Sequence, residues 1–431
     1  MHRTIRRLAG CFTMGLAALG TASAKADNWP QWRGVANDGI SPERNLPVQW
    51  NASENVAWRH PLPGPAGSTP VVWGDRIFLT TVDAEGNLLL MCISSEGKTL
   101  WQQTIDKGNQ DVRGDEGNSA SNSPVTDGTH VWAMVASGVL GCYTMDGEER
   151  WKFNVADRYG KLDIQFGMTS TPVLDQGKLF LQLIHGDGRD KTEEARVVCL
   201  DGLSGKEIWS RKRLTGATQE NEHSYTSPII YRDAERSYLV THGGDYAIAY
   251  RLEDGEEIWR CGLNPHGASY HPTLRFVASP AAGEGMIIIP SAKNGPVVSL
   301  SADAKGEIEE QSPAILWRHD KGTPDVPSPL YHEGLVYLCR ENGVLVCVDA
   351  KTGEIVYENR LFSDRYRASP VYADGKIYAV ARTGVISVVR AGREFELLAQ
   401  NEMGEQVSSS PVVANGRIYV RTFDALYAIG N

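Results

Sequence analysis

The stretch ASPVYADGKIYAV at residues 368–380 contains the pattern that decides the fold of this chain. It begins with a small polar residue and a proline, continues through the turn dipeptide Asp374-Gly375, and ends in an alternating apolar run. Proline is tolerated where a strand begins, because its missing N–H costs no ladder hydrogen bond there. Asp-Gly is typical of a tight β-hairpin turn. The stretch therefore predicts the first two strands of an antiparallel sheet.

The same pattern occurs eight times along the 431 residues, at intervals of 41 to 56 residues. Its prolines are Pro70, Pro124, Pro172, Pro228, Pro280, Pro329, Pro370 and Pro411. In each copy a third strand follows. In most copies a glycine turn and a fourth strand that carries an aromatic residue come next, and Leu398 occupies the aromatic position in the seventh copy. These structural aromatics are Trp58, Trp101, Trp151, Trp209, Trp259, Trp317 and Tyr357. Four strands repeated eight times predict an all-β, eight-bladed β-propeller of four-stranded antiparallel blades.

The two ends of the repeat region are complementary. The last copy stops after its third strand, whereas residues 55–60 (NVAWRH) have the fourth-strand pattern with no strands before them. We therefore expect this N-terminal strand to complete the last blade and close the ring, since closure removes exposed sheet edges.

The stretch CLDGLSGKEIW at residues 199–209 shows what the turn between the third and fourth strands does. Asp201 and Gly205 shape the turn, and Trp209 is expected to pack between neighbouring sheets. Its acidic residue and glycines are thus explained by packing, with no cofactor required.

The N-terminus reads as an export signal. Positive charge in residues 2–7 precedes a short apolar run and small-residue cleavage positions near Ala24 and Ala26. We assign residues 1–26 to a signal peptide, 27–44 to an N-terminal extension and 45–431 to the propeller, and expect a periplasmic or secreted protein. The alternative of a lipoprotein acylated at Cys11 is disfavoured, because most of the apolar run follows that cysteine.

Six cysteines remain after cleavage, and four of them occupy one third-strand position in four blades: Cys92, Cys142, Cys199 and Cys347. Residues in different blades lie too far apart to form a disulfide, so we expect buried free thiols. A bond between Cys339 and Cys347 within one blade is the alternative.

The formal net charge of −10 argues against nucleic acid as the main partner, since phosphate binding needs clustered Lys and Arg. No segment after the signal is long and apolar enough to span a bilayer, so we expect a protein that is not integral to the membrane.

The turn patterns LDGLSGKEIW (200–209) and VDAKTGEIVY (348–357) resemble the repeat of the pyrroloquinoline-quinone (PQQ) propellers, over about residues 45–431. One branch of that superfamily, the quinoprotein alcohol dehydrogenases, binds PQQ and Ca²⁺ at the mouth of the ring. Another includes the outer-membrane assembly factor B, a non-enzymatic scaffold. The dehydrogenases resembled here carry adjacent cysteines over the quinone, and this chain has no adjacent cysteine pair.

Superfamily geometry places any site on the loops that enter each blade and on those between its second and third strands. The acidic residues of these loops come from blades two and four, and the basic residues mostly from blades five to eight. The ligand-binding candidates at the channel mouth are Glu116, Glu220, His223, Arg275, Lys293, Arg340, Arg367, Arg382 and Arg421. A basic half of the mouth would suit an anionic ligand or acidic peptide; ordinary solvated charges are the equal alternative.

Histidines 185, 223, 242, 266 and 271 also fall in such loops, but they share no metal-ligand spacing. Residues 185–190 (HGDGRD) likewise lack the spacing of a calcium loop. We predict no metal site.

The sequence thus leads us to expect an exported, monomeric, non-catalytic binding or scaffold protein for protein, peptide or small anionic ligands, with no cofactor. The alternative is a PQQ- and Ca²⁺-dependent alcohol dehydrogenase-like oxidoreductase.

Overall fold

The computed structural model describes residues 28–112, 117–189, 193–264, 270–292 and 294–430. Eight antiparallel sheets follow one another around a central channel, which confirms the eight-bladed propeller. The strands of the first four blades are Val71–Trp73, Arg76–Val82, Asn87–Ser94 and Thr99–Lys107 in blade 1; Val125–Thr126, His130–Met134, Val139–Thr144 and Glu149–Asn154 in blade 2; Val173–Asp175, Lys178–Leu183, Arg196–Asp201 and Glu207–Lys212 in blade 3; and Ile229–Arg232, Ser237–Gly243, Tyr246–Arg251 and Glu257–Gly262 in blade 4.

The last four blades have the same organisation. Their strands are Ala281–Gly283, Met286–Ile289, Val297–Ser301 and Ile315–His319 in blade 5; Leu330–His332, Leu335–Cys339, Val344–Asp349 and Ile355–Arg360 in blade 6; Val371–Ala373, Lys376–Val380, Val385–Arg390 and Leu397–Glu402 in blade 7; and Val412–Ala414, Arg417–Arg421, Ala425–Ile429 and Val56–Pro61 in blade 8. The predicted ring closure is confirmed, because Val56–Pro61 pairs antiparallel with Ala425–Ile429.

A few elements lie outside the blades. Gly306–Ile308 adds a parallel fifth strand to the outer edge of blade 4, and Ile40–Ser41 adds one to the inner strand of blade 7. The remaining elements are the two-stranded hairpin Asp111–Val112 with Gly117–Asn118, the helix Val155–Tyr159 and the 3-10 turn Gln219–Glu222. In the part of the chain that is described, no helix combines the length and apolar character needed to cross a bilayer.

A closed ring of hydrogen bonds joins all eight blades at the channel. The Ser or Thr before each repeat proline donates its backbone N–H to the hydroxyl of the equivalent residue in the next blade, at 2.8–3.1 Å. The members are Thr69, Ser123, Thr171, Ser227, Ser279, Ser328, Ser369 and Ser410. A residue before proline is held in an extended conformation, which turns this N–H sideways to the neighbouring blade. We call these eight residues the hydroxyl ring.

A second contact repeats near the outer edge of the blades. The indole of Trp209 packs against Gly255 of the next blade, where a Cβ would lie 2.5 Å from the ring, and its N–H donates to the Leu252 carbonyl at 3.0 Å. Trp151 makes the equivalent contact with Gly205 in blade 3. Glycine is therefore required in these turns for its positive φ and for the close approach of the indole. The predicted packing of Trp209 between sheets is confirmed.

The cysteines are explained by the same geometry. Cys92, Cys142, Cys199 and Cys347 lie directly opposite the fourth-strand aromatic of their own blades, at a regular bulge in the pairing. A small side chain fits there beneath the large ring. All six described cysteines are free and buried, as predicted, and burial raises the pKa of each thiol. Cys11 and the predicted signal peptide lie outside the described residues.

The N-terminal extension runs across one face of the propeller and blocks that end of the channel. Trp29 is fully buried and exchanges both backbone hydrogen bonds with Val72 of blade 1. Arg33 is also buried, and it donates to the carbonyls of Asp38 and Pro329, each at 3.0 Å. The side chain of Trp32 reaches the channel itself. The extension is therefore part of the folded propeller.

We expect the inter-blade tryptophan contact to carry a large share of the stability at each seam. Trp209→Ala removes a buried indole and should lower the free energy of unfolding by about 3–5 kcal/mol. Urea unfolding followed by circular dichroism measures the change. The control is Ile208→Ala on the opposite, exposed face of the same strand, which should shift stability by less than about 1 kcal/mol. Equal losses of unfolding free energy in the two variants would contradict a specific contribution of the inter-blade contact to stability.

Candidate functional site

The open end of the channel holds a cavity of about 350 Å³, which we call the mouth cavity. The entering loops of all eight blades contribute to its wall, as superfamily geometry predicts. Its lining residues are Gly67, Gly117, Asn118, Ser121, Phe166, Thr169, Tyr225, Arg275, Val277, Asp325, Val326, Glu341, Arg365, Arg367 and Ser408. The wall thus combines aromatic rings, three arginines and two carboxyl groups.

Arg275 forms one side of the mouth cavity. Its guanidinium lies 3.2 Å from the carboxylate of Glu220 and 4.7 Å from the centroid of the Phe166 ring. The Phe166 ring in turn lies 5.9 Å from that of Tyr225. A cation that is paired with a carboxylate and covers an aromatic face is held in one orientation, since both contacts are attractive. This side offers a positive group beside two flat apolar surfaces.

The adjoining part of the wall is built around Glu341. Its carboxylate lies 3.0 Å from Arg367 and 3.7 Å from Arg365. Burial raises the pKa of Glu341, and the neighbouring Asp325 carboxyl raises it further, while Arg367 and Arg365 act in the opposite direction. Asp325 holds a φ of 71°, which is uncommon for a residue other than glycine. Two carboxyls and two guanidiniums therefore share a small partly buried volume.

A smaller space of about 140 Å³ lies beneath the mouth cavity along the channel, and we call it the lower chamber. All eight members of the hydroxyl ring line it, and Trp32 of the N-terminal extension lies at its far end. The two spaces share the wall residues Gly67, Ser121, Thr169, Tyr225, Val277, Val326, Arg367 and Ser408. They therefore form one funnel that is open at the top.

The structure brings together only some of the predicted site residues. Arg275 and Arg367 line the mouth cavity, and Glu220 contacts it through Arg275. Arg340 lines an adjoining hollow and pairs with Glu358 at 2.7 Å. His223 lies in another hollow beside Glu220.

Two other predicted arginines are buried beside the channel wall. Arg382 stacks over Phe423 and donates to Gln406 at 3.2 Å. Arg421 lies at the seam between blades 8 and 1, where it donates to the Ser68 carbonyl at 2.9 Å. Glu116 and Lys293 lie outside the described residues.

Four important lining residues lie outside the set predicted from the sequence: Phe166, Tyr225, Asp325 and Glu341. Three of them lie in loops that could be assigned to the mouth from the repeat. Their sequence signal was weak, because the mouth is assembled from loops far apart in the chain. The carboxylates also change the charge balance of the basic half, since Glu341 and Glu220 pair with its arginines.

None of the described histidines lines the mouth cavity, and His266 lies outside the described residues. His185 and His242 are fully buried, and the Nε2 of His223 donates to the Gly186 carbonyl at 2.9 Å. Beside this region the carboxylates of Asp187, Glu194 and Glu222 lie within 4.8 Å of one another. Glu222 already accepts the Gly188 N–H at 2.7 Å. This cluster is separate from the mouth cavity, whose lining contains none of its three residues.

The chain is similar to a known protein family and to several solved structures. A family model described as outer membrane protein assembly factor BamB matches residues 41–181, 136–304 and 304–393. The chain belongs to this BamB-like family of PQQ-repeat propellers. The structure of BamB from Moraxella catarrhalis superposes with a TM-score of 0.61 at 13% identity, covering 87% of this chain and 98% of that one.

Quinoprotein dehydrogenases share the fold. The quinohemoprotein alcohol dehydrogenase of Comamonas testosteroni superposes with a TM-score of 0.65 at 14% identity, over 94% of this chain and 81% of that one. A curated relative, the polyvinylalcohol dehydrogenase of a Pseudomonas species, is 23% identical over 273 residues, or 54% of this chain. The match spans only 40% of that relative's length. These likenesses establish the architecture that this BamB-like chain shares with the dehydrogenases.

The mouth cavity fits the two dehydrogenase cofactors unequally. PQQ is a flat polycarboxylate, and the arginines and aromatic faces of the wall are suitable groups for such a molecule. Ca²⁺ requires six to eight oxygen ligands. The described lining supplies two carboxyl side chains, Asp325 and Glu341, and Glu341 is held by Arg365 and Arg367. These residues do not form a calcium shell.

We expect the two buried histidines to make the protein sensitive to acid. Burial lowers the pKa of His185 to about 4 and that of His242 to about 3. Because the unfolded pKa of about 6.5 is higher, the unfolded chain binds protons first, so stability falls as the pH drops below about 6.5. At pH 5 each histidine should cost about 2 kcal/mol.

Urea unfolding at pH 7.5 and pH 5 measures this loss. His185→Gln keeps an acceptor for the Asp163 N–H, which now donates to the ring at 3.3 Å, and should reduce the difference between the two pH values by about 2 kcal/mol. A difference identical to that of the unaltered protein would contradict the assignment.

Proposed function

We propose that this chain is an exported, non-catalytic binding protein that takes an acidic ligand into the mouth cavity. The observation that carries the proposal is the convergence of Arg275, Arg365 and Arg367 on one open cavity of about 350 Å³ beside the rings of Phe166 and Tyr225. The ligand is a small carboxylate or an acidic peptide segment with a flat or apolar part next to its negative group.

The ion pairs in the wall support this chemistry. Arg367 and Arg275 are partly desolvated and are held in position by Glu341 and Glu220, so little side-chain entropy is lost when a ligand binds. A ligand carboxylate can share or replace these carboxylate partners, and an arginine fork can bind it in bidentate fashion. The carboxyls of Asp325 and Glu341 also limit the choice, because a ligand group that faces them has to donate hydrogen bonds.

The family supports a role in binding. BamB is described as an outer membrane protein assembly factor, and the eight mouth loops of a propeller suit an extended partner. A short acidic segment of a protein partner would place its side chains in the mouth cavity while the rest of the partner covers the surrounding loops.

A second function is favoured by one observation, the aromatic and arginine-lined shape of the cavity at the channel axis. It suits a planar polycarboxylate, and the curated polyvinylalcohol dehydrogenase relative is an oxidoreductase by name. Under this alternative the chain is a PQQ- and Ca²⁺-dependent dehydrogenase. The missing calcium shell among the described lining residues makes it the weaker candidate.

Calorimetric titration with a panel of small dicarboxylates and acidic peptides tests the proposal. Arg367→Gln should weaken binding of a responding ligand by tenfold or more, since a charge-assisted hydrogen bond is lost from a partly buried site. Binding should also weaken as salt rises. Arg390→Gln is the matched control, because Arg390 pairs with Glu396 on the exposed outer surface.

Three outcomes decide between the functions. Equal affinity for the Arg367 and Arg390 variants would overturn the mouth cavity as the site. Saturable PQQ binding that requires Ca²⁺, together with dye-coupled oxidation of an alcohol, would establish the dehydrogenase instead. Binding of acidic ligands without such turnover is the expected result.

A further inference from the structure

The lower chamber is lined by an unusual number of buried hydroxyl groups. All eight members of the hydroxyl ring face it, and each is at most 6% exposed. The hydroxyl of Ser408, which also lines the chamber, is buried and has no hydrogen-bond partner. The hydroxyl ring and Ser408 therefore contribute nine hydroxyls, from all eight blades, to the wall of a space of about 140 Å³.

Each hydroxyl of the ring still has a hydrogen that it can donate. Each ring oxygen accepts one backbone N–H from the preceding blade, as in the bond from Ser227 N–H to Ser279 Oγ at 2.8 Å. A serine or threonine hydroxyl has in addition one hydrogen to donate. Within the described part of the chain, none of the eight ring hydroxyls donates to a protein acceptor. A hydroxyl that accepts from an N–H is polarised and becomes a stronger donor.

Three arginines lie around the chamber. Among its described lining residues Arg367 is the charged side chain. Arg421 lies directly behind the ring, bonded to the carbonyl of Ser68 next to Thr69, and its Nε and Nη2 have no hydrogen-bond partner. On the closed side Arg33 donates to the carbonyls of Ser328 and Pro329. Glu341 and Asp325 lie beside Arg367, and Asp38 lies beside Arg33, whereas no described carboxylate forms an ion pair with Arg421.

We propose that the lower chamber binds an anionic group, held by the hydroxyls of the ring and Ser408. Water can satisfy the hydroxyl donors, but it leaves the charge of Arg421 uncompensated, whereas an anion satisfies both. The group is either a free small inorganic anion or the terminal carboxylate of a ligand that reaches down from the mouth cavity. The second source rests on the proposed function, and the first is independent of it.

Chloride-35 NMR tests the proposal with chloride as the probe. Chloride that exchanges with a protein site shows a broadened line, and titration of the protein gives the affinity of that site. Ser408→Ala removes one unpaired donor without breaking a bond of the ring, so the fold is retained. It should weaken chloride binding by about tenfold, as expected for a hydrogen bond to a charged group. Arg390→Gln, on the outer surface, should leave the titration unchanged.

Crystals soaked in bromide give the location directly. An anomalous peak inside the hydroxyl ring that disappears in Ser408→Ala supports a free anion. If instead an acidic ligand from the calorimetric panel removes the bromide peak from the hydroxyl ring, and its own affinity falls in Ser408→Ala, the ligand carboxylate occupies the chamber. If bromide is absent from the chamber, and neither chloride nor any acidic ligand responds to Ser408→Ala, the proposal is wrong. That result leaves the mouth cavity untouched, since its own test depends on Arg367.

Discussion

The closed hydroxyl ring is the constraint on which the rest of the structure depends. Eight separate sheets have to meet around one axis, and each brings a proline whose missing N–H cannot join a ladder. The residue before that proline satisfies its own N–H with a hydroxyl of the next blade, and the eighth blade returns the bond to the first through Ser410 and Thr69. The ring can close only when all eight blades are present, so each blade helps to hold the others in position.

Closure at the axis and packing at the periphery act together. Near the outer edge, tryptophans such as Trp209 pack against a glycine turn of the following blade, which holds the two sheets at a fixed angle. The N-terminal strand Val56–Pro61 completes blade 8. The seam between blades 8 and 1 is joined by the hydrogen bond from the buried Arg421 to the Ser68 carbonyl. Because the blades are joined both at the channel axis and near their outer edge, the entering loops can differ in sequence, and function can reside in them.

The funnel is a consequence of this frame. The extension that carries Trp32 and Arg33 closes one end, which converts an open channel into a cavity with a floor. Above the floor, loops from distant parts of the chain bring Arg275, Arg367 and Glu341 to one wall. The proposed recognition of acidic groups follows from that arrangement, because partly buried arginines in a shaped cavity interact more strongly with an anion than exposed ones do.

The sequence by itself determined the blade count, the strand order, the closing strand and the role of the tryptophans and cysteines. These features are local or periodic, since a proline, a glycine turn and, in most copies, an aromatic recur at equivalent positions. Only the tertiary structure decided which loop residues meet. Arg340, Arg382 and Arg421 resembled Arg367 in the sequence, yet they point into side hollows or are buried, while Asp325 and Glu341 joined the site. Loop conformations have no repeat to constrain them, and the charges that pair at the mouth, such as Arg275 with Glu220, come from separate loops of the chain.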